Sequence, residues 1–311
     1  MSGSSHVFTM EKVHARLSIF VFALALTTPL ASQDSQAVFR GGRSELVVLP
    51  VTVSDKSGAL VADLAREHFI VFDNKRQQDI VHFSSADAPV SVALVIDSSA
   101  SMGHKFGEIM AASLRFASLS HPEDELLVYA FNDTVRDTLR GKAITAADTA
   151  DLEAALHAFR AEGRTALYDA LIAAIDAVEQ RSLPRKVVIV MSDGGDNASA
   201  AALSDVLDRA RRSSVTVYTI GLFDPVDRDA NAGVLESLAE TTGGRRYLPH
   251  SPGPLLQACE RIAHEVRSGY TLSFVPPERD ARYHRVEVRA ARGDGQRLTA
   301  RTRPGYVAAA P

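Results

Sequence analysis

The sequence contains one cysteine and no tryptophan among its 311 residues. A single cysteine cannot form an internal disulfide, so the fold cannot be a small disulfide scaffold and must depend on its hydrophobic core. The thiol, Cys259, lies in an apolar-periodic segment, which predicts a buried structural residue and not a nucleophile. With 46% apolar residues, the chain can bury such a core and form more than one folded unit.

Basic residues are not in excess. The 34 lysines and arginines stand against 38 acidic residues, giving a net charge of −4, and no basic block is present. A general nucleic-acid binder is therefore excluded, because nothing would neutralise a phosphate backbone. The ten histidines form no H-E-x-x-H spacing, and no G-x-S-x-G segment provides a nucleophile elbow. We do not expect an enzyme.

One apolar run bears on targeting. Residues 17–26 are apolar apart from one serine, Lys12 and Arg16 precede them, and small or polar residues follow as far as Ala37. The run is short for a membrane span, so residues 1–37 are predicted to be a cleaved signal peptide. Met10 is an alternative start, and a retained anchor is the alternative to cleavage. The mature chain is then secreted or periplasmic, without a membrane span.

Two apolar runs, at residues 92–97 and 186–193, each end in an aspartate. Such runs are typical of strands that are buried on both faces of a sheet. If both strands are parallel and central, Asp97 and Asp193 lie at the same edge of the sheet, where open α/β sheets bind ligands. Two carboxylates that converge there without a cation would repel each other.

Hydroxyl groups accompany the two carboxylates. Ser99 and Ser101 alternate in the loop after Asp97, and Thr165 lies at or just before a predicted helix start. Neutral hydroxyls and carboxylates suit Mg²⁺ or Mn²⁺ better than zinc, which prefers nitrogen or sulfur. The candidate metal ligands are Asp97, Ser99, Ser101, Thr165 and Asp193.

These residues resemble the metal-ion-dependent adhesion site of von Willebrand factor A-type domains. The family pattern is D-x-S-x-S, then a threonine, then an aspartate in a D-G-x-D setting, which here lies within S-D-G-G-D at residues 192–196. All five positions are present in order. Ala100 stands where the family often has glycine, and this departure removes no ligand. The resemblance covers about residues 88–267, and the flanks look like those of secreted bacterial proteins related to this family.

The resemblance implies a doubly wound, mostly parallel, Rossmann-like α/β sheet and a cation that keeps one position open for a carboxylate of a partner protein. It therefore implies an exported, cation-dependent protein-binding or adhesion module. The alternative is a structural or assembly component of a bacterial envelope complex, with this domain as a scaffold. The family often moves its last helix when metal coordination rearranges, here residues 253–266.

Four polar residues near the candidate ligands are open to two interpretations each. Asp196 and Asn197 either hydrogen bond to a ligand or a bound water, or cap the next helix. Arg164 and Tyr168 flank Thr165 and either contact the partner or lie on the surface.

A second acidic segment, Asp227-x-Asp229-x-Asn231, resembles the opening of an EF-hand calcium loop. The glycine that such a loop needs is replaced by Ala232, and the glutamate at its twelfth position is replaced by Leu238. The pattern therefore predicts a solvated loop.

Short alternating runs at residues 45–83 and 270–301 predict antiparallel strands on both sides of the α/β segment. The first flank is small for an independent domain, so we expect it to join the second. The predicted organisation is a signal peptide at 1–37, a β-sandwich formed by 38–87 and 268–311, and an A-type domain at 88–267. Helices are predicted near residues 105–119, 146–159, 167–179, 202–212, 231–241 and 253–266.

Overall fold

The computed structural model describes residues 46–85, 88–223 and 230–310. The predicted signal peptide and the acidic residues Asp227 and Asp229 lie outside these ranges. The strands are β1 Val47–Ser54, β2 Phe69–Asp73, β3 Arg76–Gln78, β4 His82–Ser84, β5 Val90–Asp97, β6 Glu125–Phe131, β7 Val135–Asp137, β8 Ile144–Thr145, β9 Arg185–Ser192, β10 Thr216–Gly221, β11 Arg246–Tyr247, β12 Tyr270–Phe274, β13 Tyr283–Ala291, β14 Arg297–Arg301 and β15 Gly305–Val307. The α-helices are α1 Phe106–Leu119, α2 Thr149–His157, α3 Leu167–Glu179, α4 Leu203–Arg212, α5 Ala232–Thr242 and α6 Pro252–Arg267.

The central sheet has the order β11-β10-β9-β5-β6-β7, with β8 also paired to β6. Its five principal strands are parallel, and β7 and β8 run antiparallel to β6. All eight residues of β5 are buried. This burial explains the continuous apolar run in the sequence, because a central parallel strand is covered on both faces.

Helices cover both faces of the central sheet. One core contains side chains from α1, α2 and α6, and the other contains side chains from α3, α4 and α5. On α3, Leu167, Leu171, Ile175 and Val178 follow helical spacing and are completely buried. Each such side chain stabilises the fold by about 1.5–3 kcal/mol relative to an exposed position. The doubly wound α/β fold predicted from the sequence is therefore confirmed.

The two flanks form one antiparallel sheet of order β3-β2-β13-β14-β1-β12-β4, with β15 also paired to β13. Strand β1 pairs with β12 over its first residues and with β14 over its last, so it lies between two strands from the carboxyl-terminal flank. Alternate residues of β1 are buried in a core that they share with Tyr270, Leu272 and Phe274. The sheet curls around this core. Both flanks contribute side chains to the core, so neither flank could form it without the other.

Arginines join the flanking sheet to the helices of the central sheet. The guanidinium of Arg303 donates to the backbone oxygens of Ser213 and Ala210, at the end of α4. Arg301 donates to the oxygen of Gly243 after α5, at 2.5 Å. The C-terminus of a helix carries about half a negative charge, so cations are stabilised there.

Cys259 lies on α6 and is completely buried. Burial raises the pKa of its thiol to about 12, so the thiolate is negligible at neutral pH. This environment agrees with the predicted structural role. No helix within the described ranges is both long enough and apolar enough for a transmembrane segment.

Candidate metal-binding site

The fold brings the carboxyl ends of β5 and β9 to one edge of the central sheet. The two strands are parallel neighbours, with Ile96 opposite Met191. Asp97 is the last residue of β5, and Asp193 directly follows the last residue of β9. Both aspartates therefore lie at the edge where ligands bind in open α/β sheets.

Asp97 is completely buried and is held by two uncharged donors. One carboxylate oxygen accepts the backbone N–H of Ser99 at 2.9 Å, and the other accepts the hydroxyl of Ser192 at 2.7 Å. Burial raises the pKa of Asp97, whereas the hydrogen bonds from Ser99 and Ser192 oppose that shift. Lys105 adds a weaker attraction, but its ammonium group is hydrogen bonded to the oxygen of Leu222. A carboxylate in this environment gains from a cation.

Ser101 connects the two carboxyl-bearing loops. Its hydroxyl lies 3.1 Å from that of Ser99 and donates to a carboxylate oxygen of Asp193 at 3.0 Å. The other oxygen of Asp193 accepts the N–H of Gly195 at 3.0 Å. Ser99 and Asp193 are buried, whereas Ser101 is exposed, so the cluster opens to solvent at Ser101.

Thr165 lies on a loop that is hydrogen bonded to the loops that follow β5 and β9. Its N–H donates to the side-chain oxygen of Asn197, and its own backbone oxygen accepts the N–H of Asn197, both at 2.9 Å. Two residues earlier, the oxygen of Gly163 accepts the N–H of Ala100 at 3.2 Å. The structure thus places Thr165, which is buried, between the loops that carry Asp97 and Asp193.

Asp196 and Asn197 have different roles in the structure. Asn197 holds the Thr165 loop, as described above. Asp196 accepts the N–H of Tyr168 at 3.2 Å and the hydroxyl of Ser199 at 2.6 Å. Asp196 therefore binds the first turn of α3, where negative charge is favourable. Asp196 thus caps α3, which precedes it in sequence, and not α4, which follows it.

Arg164 and Asp133 form an ion pair beside Thr165. The guanidinium Nε and the backbone N–H of Arg164 donate to the two carboxylate oxygens of Asp133, at 2.8 and 3.1 Å. These contacts hold the pKa of Asp133 below its ordinary value. Gly163 permits this approach, because it has a positive φ of 80° and a Cβ there would lie 2.0 Å from the Asp133 carboxylate. Two-thirds of the Arg164 side chain is exposed, and Tyr168 is half-buried.

Ser192 and Asp133 are site residues that the sequence interpretation missed. Ser192 is a hydroxyl residue at the end of an apolar strand, directly before Asp193. Asp133 follows β6, which ends at the same sheet edge as its neighbour β5. In both cases the available signal was a polar residue at the carboxyl end of a buried strand.

A second group of possible ligands lies in the flanking sheet, comprising Glu278, Asp280 and His284. The ring of His284 is buried, with Nδ1 2.9 Å from a carboxylate oxygen of Asp73 and Nε2 3.1 Å from one of Asp280. Because both ring nitrogens are already engaged by carboxylates, neither is available to a metal. We therefore interpret this group as a structural charge network.

The donor set at the carboxyl edge fits a hard divalent cation. It offers two carboxylates and three hydroxyl side chains and no nitrogen or sulfur, which matches the preference of Mg²⁺ or Mn²⁺. Two protein carboxylates leave a bound dication with affinity for another anionic oxygen.

Comparisons with known proteins agree with this architecture. The family profile described as the von Willebrand factor type A domain matches residues 91–254, more than half of the chain. The fold is similar to that of the von Willebrand factor type A protein from Catenulispora acidiphila, with 15% identity over 85% of this chain and 74% of that one, and a TM-score of 0.51. Proximal thread matrix protein 1 from the mussel byssus has 17% identity over 63% of this chain and 51% of its own, with a TM-score of 0.50. No curated protein matches the sequence.

Proposed function

The chain belongs to the von Willebrand factor type A domain family, and from this membership we propose that it is an exported protein-binding module whose binding depends on a divalent cation. The observation that carries the proposal is Asp97, a completely buried carboxylate whose hydrogen bonds within the described residues come from Ser99 and Ser192 and not from a basic side chain. It lies in a cluster that opens to solvent at Ser101.

In this proposal each part of the site has a separate task. Asp97 and Asp193 supply the negative charge, and Ser99, Ser101 and Thr165 supply neutral oxygens. Bound Mg²⁺ or Mn²⁺ would supply an electrophilic position for an anionic oxygen. Ser192 fixes one oxygen of Asp97, and Asn197 fixes the Thr165 loop. The five donors are the ligand residues that we propose.

The partner that fits this site is a protein with an exposed carboxylate. Arg164 presents a mostly exposed guanidinium next to Thr165, which favours an acidic partner surface. Tyr168 adds a half-buried aromatic side chain on the same helix start. A hydroxyl that binds a cation as a neutral ligand is a poor nucleophile, so we propose binding and not catalysis.

Metal binding is tested with the metal alone. Chelator-treated protein is titrated with Mg²⁺ and with Mn²⁺ in a calorimeter, using the wild type, Asp97→Ala and the control Glu153→Gln, an exposed helix residue. We expect the Asp97 variant to lose at least about 100-fold in affinity, more than the effect of removing an outer partner. The control should bind like the wild type. A folded Asp97→Ala protein with wild-type affinity would reject the proposal.

The partner is sought by affinity capture from an envelope extract with and without EDTA. Capture of the same protein under both conditions would argue for the alternative, an assembly component whose contacts do not use the cation. Export is tested by recovering the protein from the periplasm or the medium and sequencing its N-terminus. A terminus between residues 32 and 38 would agree with the predicted cleavage.

A further inference from the structure

Arg185 is a buried cation with one unused donor. It is the first residue of β9, at the end of the strand opposite to the candidate metal site. Its Nη2 donates to the backbone oxygen of Val266 in the last turn of α6. Its Nη1 is buried and has no hydrogen-bond partner, which is true of only two side-chain atoms in the described part of the chain. Nearly all buried polar groups are paired, so this atom needs an explanation.

A small cavity lies beside Arg185. It has a volume of about 20 Å³ and is lined by residues of the flanking strand β1, by the starts of β9 and β10, and by the end of α6. A cavity needs about 10–15 Å³ to hold one water-sized particle. The space therefore admits a single small particle between the flanking sheet and the central sheet.

The carboxylates around Arg185 are engaged elsewhere. Glu265, which also lines the cavity, binds the guanidinium of Arg301 and accepts the hydroxyl of Tyr247 at 3.1 Å. Asp124 accepts the N–H groups of Val90 and His121, at 2.8 and 2.9 Å. Within the described residues, neither carboxylate forms an ion pair with Arg185.

The charge of Arg185 is thus only partly compensated. A guanidinium stays protonated in proteins, and the C-terminus of α6 offers only about half a negative charge. Burial disfavours the charged form and lowers the pKa of Arg185, although the nearby charge of Asp124 partly opposes the shift. A water molecule would complete the hydrogen bonding of Nη1 but would add no charge.

We propose that this cavity binds a small monovalent anion of the chloride class, held by Nη1 of Arg185. The anion completes both the hydrogen bonding and the charge of the guanidinium. Because β1, β9, β10 and α6 all line the cavity, the bound anion stabilises the junction between the two sheets.

The direct test is crystallographic. Crystals of the wild-type protein are grown in bromide, and data are collected at the bromine absorption edge. We expect an anomalous peak within hydrogen-bond reach of Nη1 of Arg185. A site that holds only water, or no density in the cavity, would overturn the proposal.

The second test is thermal unfolding in sodium chloride and in sodium gluconate at equal ionic strength. At ten times its dissociation constant, chloride should raise the Tm of the wild type by about 3 °C. Arg185→Met should abolish this difference. The control Arg289→Met removes an exposed arginine and should retain it.

Equal Tm values of the wild type in the two salts, or an unchanged chloride response in Arg185→Met, would contradict the proposal. If Arg185→Met does not fold, the bromide crystals of the wild type decide the question. Neither measurement uses Mg²⁺, so this inference stands or falls independently of the proposed metal site.

Discussion

The two edges of the central sheet hold buried charge in different ways. At the amino edge, the guanidinium of Arg303 is bonded to two carbonyl oxygens at the end of α4. At the carboxyl edge, Asp97 is bonded to a hydroxyl and an N–H, with no hydrogen bond to a basic side chain in the described residues. Both terminal nitrogens of Arg303 are hydrogen bonded within the protein, unlike Nη1 of Arg185 at the same edge. Asp97 has no basic hydrogen-bond partner among the described residues, which supports the proposed cation site.

The direction of the helices explains the difference. In a parallel α/β fold the helices run opposite to the strands, so helix C-termini gather at the amino edge and helix N-termini at the carboxyl edge. Arginines are stabilised at the first edge and carboxylates at the second. Asp196, which accepts a hydrogen bond from the first turn of α3, is an example of a carboxylate stabilised at the carboxyl edge.

The largest effect on stability is expected from removing the Arg303 guanidinium at the amino edge. Arg303→Met removes the side-chain donor to the oxygen of Ser213 and one of the donors to the oxygen of Ala210, and it removes a buried charge that is hydrogen bonded twice. The free energy of unfolding should fall by about 3–5 kcal/mol, because each hydrogen bond to a charged group contributes about 1.5–3 kcal/mol. Urea unfolding measures this loss.

The same variant should bind Mg²⁺ with unchanged affinity, measured by calorimetry under conditions in which it remains folded. A loss below about 1 kcal/mol would show that the helix end does not depend on Arg303. A change in metal affinity would show that the two edges are coupled. It would contradict the view that the amino edge contributes to stability alone.

A smaller effect is expected from Ser192→Ala at the carboxyl edge. The substitution removes the hydroxyl that holds one oxygen of Asp97, and outer partners of metal ligands contribute about 10–100-fold to affinity. We expect a loss of about tenfold in Mg²⁺ affinity, which is about 1.4 kcal/mol. The control Ser237→Ala removes an exposed hydroxyl on α5 that bonds only to Gly233.

Equal affinity of Ser192→Ala and Ser237→Ala would mean that Asp97 is positioned by the backbone alone. In chelator, Ser192→Ala should lose about 1.5–3 kcal/mol of unfolding free energy, because its hydroxyl bonds to a buried carboxylate, and Ser237→Ala should have nearly the stability of the wild type. The carboxyl edge would then lose both stability and metal affinity, whereas Arg303→Met loses stability alone.

Much of the fold was predictable because its signals are local. Helix α3 has the bounds predicted from the sequence, Leu167–Glu179, since its apolar residues keep helical spacing and polar residues stand before it. The buried strands β5 and β9 were recognisable from continuous apolar runs. Their parallel pairing then determines that Asp97 and Asp193 lie at one edge. The assignment of metal ligands remains a prediction.

Other features depend on contacts that are distant in sequence. Arg303 caps a helix end that is 90 residues away, and no local pattern distinguishes it from Arg297 or Arg301. Strand β8 pairs with the first two residues of β6. With only two residues, it is too short to produce a periodicity in the sequence. The alternating runs of the flanks predicted strands, but not that β1 lies between β12 and β14.

The smallest effect is expected in the flanking sheet, where the buried imidazole of His284 has carboxylates as partners. Burial alone would lower the pKa of His284, but hydrogen bonds and charges from Asp73 and Asp280 outweigh it and raise the pKa above its ordinary value. The folded state therefore binds the proton more tightly than the unfolded state. This contribution to stability is complete below about pH 6.5 and is lost as the pH rises through the raised pKa.

Urea unfolding of the wild type and of His284→Gln across this pH range isolates the contribution, because glutamine can hydrogen bond to Asp73 but does not titrate. The wild type should exceed the variant most at low pH, and the difference should decline as the pH rises. Tyr306→Phe is the control, since it removes the hydroxyl that donates to Asp73 at 2.9 Å and leaves the imidazole in place. Parallel pH profiles for the wild type and His284→Gln would show that folding does not change the pKa of His284, and a wild-type advantage that grows as the pH rises would show that His284 is neutral when folded.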